Sequence, residues 1–180
     1  MKKLYFLISC ICFCLSSNGQ NKVHSGVDIG YSHKGFIPLT VYVGAKETQY
    51  GVTVGFPVNK GTSGEYHPVV NWTRFPDEVD VVEKGEYCLP VMFNLSRAVH
   101  NNLYAGAGLG YSFETLYKNM SDDSGEIGNG AYYITSRGKG RIEYIMFLNY
   151  LLPTSDSAQF SIRVFYSGIM GAGASVGYAF

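Results

Sequence analysis

Apolar residues fall on every second position in eight separate stretches of this chain: residues 23–32, 36–45, 48–56, 87–95, 103–113, 141–152, 158–167 and 170–180. A period of two places such residues on one face of a β-strand, whereas a helical face repeats near 3.6 residues. In residues 103–113, for example, Ala105, Ala107, Leu109, Tyr111 and Phe113 alternate with Gly106, Gly108, Gly110 and Ser112. Residues 141–152 could also be read as a helix, because Ile142, Ile145, Met146 and Asn149 share a helical face. Their β-branched and aromatic content, and the strands around them, favour a strand. Pro90 counts against a central strand position for residues 87–95, since proline cannot donate to a ladder.

The charged residues decide which face meets what. Leaving aside Arg141, which sits at a loop edge, only Asp28, Glu143 and Arg163 are charged within the eight stretches, and all three fall in the Gly/Ser/Thr phase. A basic side chain facing lipid near the midplane costs ~2–4 kcal/mol, so a lipid-facing phase should be free of charge. Half of the chain's 22 glycines share the phase of the three charges. A soluble lipid-binding barrel would turn that phase outward, leaving bare glycine backbone and few charges on its surface. Turned inward, the same glycines leave space for Tyr42, Arg163 and Phe165 in a lumen that holds only side chains. Counted from the strand ends, Arg163 and Asp28 stand at similar heights and Glu143 nearer the other rim, so Asp28 is the expected partner of Arg163. Aromatic residues collect near strand ends, with Tyr31, Phe56, Tyr111 and Phe113 at one rim and Tyr50, Tyr150, Phe160 and Phe180 at the other. The expected fold is therefore all-β, an eight-stranded antiparallel transmembrane up-and-down barrel.

The last stretch adds a motif. Met170, Ala172, Ala174, Val176, Tyr178 and Phe180 alternate with Gly171, Gly173, Ser175, Gly177 and Ala179. Ending on Phe180 with Tyr178 two positions before it, the segment resembles the C-terminal signal strand of small outer-membrane β-barrel proteins of Gram-negative bacteria. That resemblance implies an assembly signal in Tyr178 and Phe180, delivery by periplasmic chaperones, and folding by the barrel-assembly machinery into outer-membrane lipid.

The N-terminus agrees with export. Met1-Lys2-Lys3 and the apolar run of residues 4–15 read as a signal peptide, with Ser17 and Gly19 as small residues before cleavage. The expected division is a cleaved segment 1–19 and a barrel domain 20–180. Cleavage removes Cys10, Cys12 and Cys14, and Cys88 alone can form neither a disulfide framework nor a thiolate metal cluster. Loss of Lys2 and Lys3 takes the formal net charge from 0 to −2, which speaks against a nucleic-acid partner.

Residues 57–86 and 114–140 carry no sustained alternation and read as two long outer loops, with strand ends reaching into the first. Long loops on a compact scaffold are usually functional or disordered. Trp72 and Phe75 beside Asp77 and Glu78 are the candidate contacts for an extracellular partner. No cofactor, metal site or catalytic set is expected. His24, His33, His67 and His100 have no ligand spacing. The oxygen-rich residues 119–126 lack the spacing of a calcium loop. Asp156-Ser157-Ala158 matches a short O-glycosylation tripeptide at Ser157. The expected role is a surface interaction or envelope-structural one. A lipid-modifying enzyme embedded in the membrane is the alternative, disfavoured because the outer end Phe165-Tyr166-Ser167-Gly168 carries no histidine.

Overall fold

The computed structural model describes residues 24–45, 47–67, 79–122, 130–155 and 158–180. The signal segment 1–19, the four loop residues Trp72, Phe75, Asp77 and Glu78, and Ser157 lie outside the described residues.

Ten strands form among the described residues: β1 (His24–Ser32), β2 (Phe36–Ala45), β3 (Thr48–Pro57), β4 (Glu65–Tyr66), β5 (Val79–His100), β6 (Leu103–Asp122), β7 (Ala131–Arg137), β8 (Arg141–Ser155), β9 (Ala158–Ser167) and β10 (Gly171–Ala179). Eight of them close a barrel in the order β1-β2-β3-β5-β6-β8-β9-β10, every neighbouring pair antiparallel, with β10 returning to β1. Closure leaves no barrel edge to template aggregation. The seam extends past the strands, because Ser25 and Phe180 exchange both backbone hydrogen bonds at 2.8 Å.

The barrel is inverted relative to a soluble one. Its exterior is apolar, as Phe93 (70% exposed) and Leu109 (68%) show, while Asp28 and Arg163 are 0% and 2% exposed in the interior. Along β6 the outward residues run from Leu103 to Phe113. Ten steps of ~3.3 Å, tilted by ~40°, give a belt ~25 Å tall, the height of a hydrocarbon layer spanned by a barrel. This is the arrangement of a transmembrane barrel.

Among their described residues, the two segments expected as long loops are largely strand. β5 starts at Val79, β6 continues to Asp122, and β7 occupies residues 131–137, so the wall rises well beyond the apolar belt. β7 pairs with upper β6, and the short β4 adds in parallel to β7. Alternation fails here for two physical reasons. A register shift between Val81 and Glu83 changes the phase within β5. Higher up, Tyr117 and Asn119 are covered by the chain at Gly61 and Ser63, so β6 is partly buried on what would otherwise be its exposed face.

Smaller boundary differences follow from packing. Residues 96–100 are strand rather than turn, leaving only Asn101 and Asn102 to reverse the chain, with Asn102 at φ 62°. Residue 170 belongs to the β9–β10 turn, and the Met170 side chain folds into the lumen instead of joining the outer face. Pro90 is tolerated in β5, where its ring lies inside near Gly55.

Candidate functional site in the lumen and the protruding sheet

Side chains fill the barrel in three layers. At the end from which β5 and β6 extend, Phe36, Cys88, Met92, Ile145, Phe147, Phe165, Ile169 and Met170 form an apolar cluster. Toward the other end Tyr42, Tyr104, Leu151 and Ala179 form a second. Glycines make the rings fit, since a Cβ at Gly26 would collide with Tyr42 and one at Gly173 with Phe165. Between the clusters lies a polar layer that links neighbouring strands. Thr40 and Thr53 share a hydroxyl hydrogen bond of 2.7 Å, Asn94 Nδ2 donates to Thr53 Oγ1 at 2.6 Å, and Ser161 donates to Asn149 Oδ1 at 2.7 Å.

Arg163 sits in this layer. Its Nη2 is 3.1 Å from Asp28 Oδ2, and its guanidinium lies 4.5 Å from the Phe147 ring centre and 5.3 Å from that of Tyr42. Desolvated charge thus meets an opposite charge and two π-faces. The crevice beside Arg163, lined by Thr40, Tyr42, Gln49 and Asn94, has no room for a water molecule. At this level the lumen is a packed core, not a channel.

Glu143 does not join that pair. Six positions from Asn149, the β8 partner of Arg163, it stands ~20 Å away along the strand. Its Oε1 accepts hydrogen bonds from Ser167 at 2.5 Å and from the backbone of Ile169 at 2.8 Å. Glu143 therefore holds the inward β9–β10 turn, which drives Ile169 and Met170 into the apolar cluster.

Beyond the belt, β5, β6, β7 and β4 make a protruding sheet. Residues 59–64 cross one of its faces: Lys60 lies 5.3 Å over the Tyr87 ring, Ser63 N donates to Asn119 Oδ1 at 3.0 Å, and Asn119 Nδ2 donates to Gly61 O at 2.9 Å. Asn119, one of the oxygen-rich residues 119–126, is thus committed to fixing this crossing. The other face carries an open cavity of about 270 Å³ lined by Lys84, Gly85, Leu116, Tyr117, Lys118, Ile134, Thr135 and Ser136. Sequence reasoning missed these residues, since they fell in segments read as loops.

At the foot of the sheet the Glu114 carboxylate, by hydrogen bond and by charge, raises the pKa of Glu86 above the ordinary carboxylate range, and Arg141 opposes the shift. The folded state then holds the proton more tightly than the unfolded one. This contribution is full below the unfolded pKa and is lost as pH rises through the folded one. Hydrogen exchange in the β5–β6 arms, corrected for intrinsic rates, should slow as pH falls toward 4. In Glu86→Gln the protection should be higher at pH 7 and independent of pH. A parent protein with flat protection across that range would show that the two carboxyls do not interact.

The histidines are dispersed. His33 Nδ1 is 3.1 Å from Ala172 O in the β1–β2 turn, His67 packs edge-on against Tyr132 at 5.9 Å, and His100 lies at the opposite end of the barrel. Tyr178 and Phe180 face outward at the lower belt, 50% and 63% exposed.

No protein-family model matches the chain, and no curated protein matches it. Among solved structures, a de novo designed transmembrane β-barrel aligns over 91% of this chain and 97% of its own, at 11% identity and a TM-score of 0.41. Neisserial surface protein A aligns over 87% of this chain and 92% of its own, at 9% identity and a TM-score of 0.35.

Proposed function

We propose that the protein is an integral outer-membrane barrel of a Gram-negative bacterium, whose protruding sheet is the working surface of an interaction or envelope-structural role. The observation that carries this reading is the inverted barrel: a charge-free apolar belt outside, a filled polar and ionic interior, and a wall that continues beyond the belt on one side only. Three connections at the opposite end span only residues 46–47, 101–102 and 156–157, which suits the periplasmic side. A packed lumen supports neither a porin nor a lumenal substrate path. The scattered histidines favour interaction over catalysis.

Two experiments test the reading. The chain should fractionate with outer membranes, resist carbonate extraction, and migrate differently on SDS gels before and after boiling. Recovery in a soluble fraction would refute it. Replacing residues 60–83 and 117–138 by short Gly-Ser turns should leave a heat-modifiable barrel that no longer binds its extracellular partner.

Phe180 separates two roles. Phe180→Ala keeps the backbone bonds to Ser25 but removes the aromatic end of the signal strand, whereas deletion removes both. Each lost hydrogen bond is worth ~0.5–1.5 kcal/mol. Both variants should lower the amount of inserted barrel in cells, and deletion should also lower urea resistance after refolding. Normal insertion of Phe180→Ala would remove the side chain from the assembly signal.

A further inference from the structure

The cavity on the protruding sheet presents chemistry that the fold itself does not use. Lys84 and Lys118 are direct cross-strand partners, and Lys118 is in turn opposite Ile134 on β7. The next rung on the same face holds Glu86, Leu116 and Ser136. Like charges placed opposite one another destabilise a sheet. Among the described residues neither lysine has a carboxylate within 4 Å, although Glu86 and Glu114 are near neighbours that interact with each other. Lysine thus faces lysine here, while Glu86 and Glu114 interact with each other and with Arg141 instead of with the two lysines. Below the two ammonium groups, Leu116 and Ile134 offer an apolar floor in a cavity of about 270 Å³.

We propose that this cavity binds a free medium-chain carboxylate, its anionic head between Lys84 and Lys118 and its chain over Leu116 and Ile134. Charge fixes the sign of the ligand, and the apolar floor requires a chain behind the head. Volume limits that chain, because about 270 Å³ falls just below the usual range of ligand pockets, ~300–1,000 Å³. Position excludes a bilayer lipid. Lys118 is five residues beyond Phe113 at the top of the belt, ~17 Å along the strand, so a lipid whose chains lie in the hydrocarbon layer cannot place one here. This last step rests on the membrane placement proposed above.

The test uses the full barrel in lipid nanodiscs, with decanoate as the probe and empty nanodiscs as the blank, followed by calorimetry. Heat-modifiability on gels establishes that each variant is folded and inserted, so failure of the membrane reading is seen separately. Decanoate should bind saturably at one site, and Lys84→Gln/Lys118→Gln should weaken it at least tenfold. Leu116→Asn should weaken it similarly, and decylamine should not compete. Three results would overturn the proposal: no saturable binding by a folded barrel, equal competition by decylamine, or full competition by inorganic phosphate, which has a charge but no chain.

Discussion

Arg163→Leu will unfold at a much lower urea concentration than the parent barrel, with a loss of about 3–5 kcal/mol. The substitution leaves Asp28, fully buried between strands, without the guanidinium 3.1 Å away. Asp28 is 0% exposed, so its stranded carboxylate is cut off from bulk water. Asp28→Asn should cost less, since the guanidinium keeps the faces of Phe147 and Tyr42. The decisive variant is the double one. Adding Asp28→Asn to Arg163→Leu removes the stranded charge and should restore a large part of the loss. Additive single effects would mean that the two residues are not coupled. The readout is the folded fraction on unboiled gels across a urea series in lipid vesicles.

Val164→Arg should be nearly as damaging from the opposite face of the same strand. Val164 is 51% exposed and lies between Phe160 and Tyr166, the aromatic residues at the two ends of the β9 belt. A basic residue there sits near the hydrocarbon midplane, at a cost of ~2–4 kcal/mol. Lys at Leu116, above the belt, should cost far less, because water reaches that position. Equal stability of Val164→Arg and the parent protein in vesicles would mean that this surface does not meet lipid. Neighbouring positions 163 and 164 thus obey opposite rules: one requires a charge and the other excludes it.

That opposition made the barrel legible in the sequence. A strand with lipid on one side and a packed lumen on the other has two environments that differ sharply, so its residues sort with a period of two. Asp28, Glu143 and Arg163 stood out because they share the phase of the glycines. Their different partners were less visible: Glu143 bonds to the turn through Ser167 and Ile169, and only coordinates locate that turn inside the rim. Met170 misled for a related reason. It continues the apolar phase of β10, but the turn before Gly171, at φ 73°, directs it into the lumen.

The protruding sheet was illegible because its environments do not alternate. Tyr132, Tyr133 and Ile134 are consecutive and apolar, as β7 packs on both faces: Tyr132 meets His67 and Tyr133 meets Tyr66. In β6, Leu116 borders the cavity while Tyr117 packs under Gly61. Half-burial on both sides erases the period. The cavity lysines were equally hidden, because their meaning depends on the register that sets Lys84 opposite Lys118.

The inverted barrel is tested most directly by asking which residues of β9 touch acyl chains. In a Trp72→Phe background, the chain's single tryptophan is removed, and new ones can be placed at Val164, Phe165 or Tyr166. Each protein is refolded into vesicles containing lipids brominated along their chains, and tryptophan quenching is measured. Strong quenching at 164 and 166 with little at 165 is the expected result. Equal quenching at all three positions, or quenching confined to 165, would contradict the account.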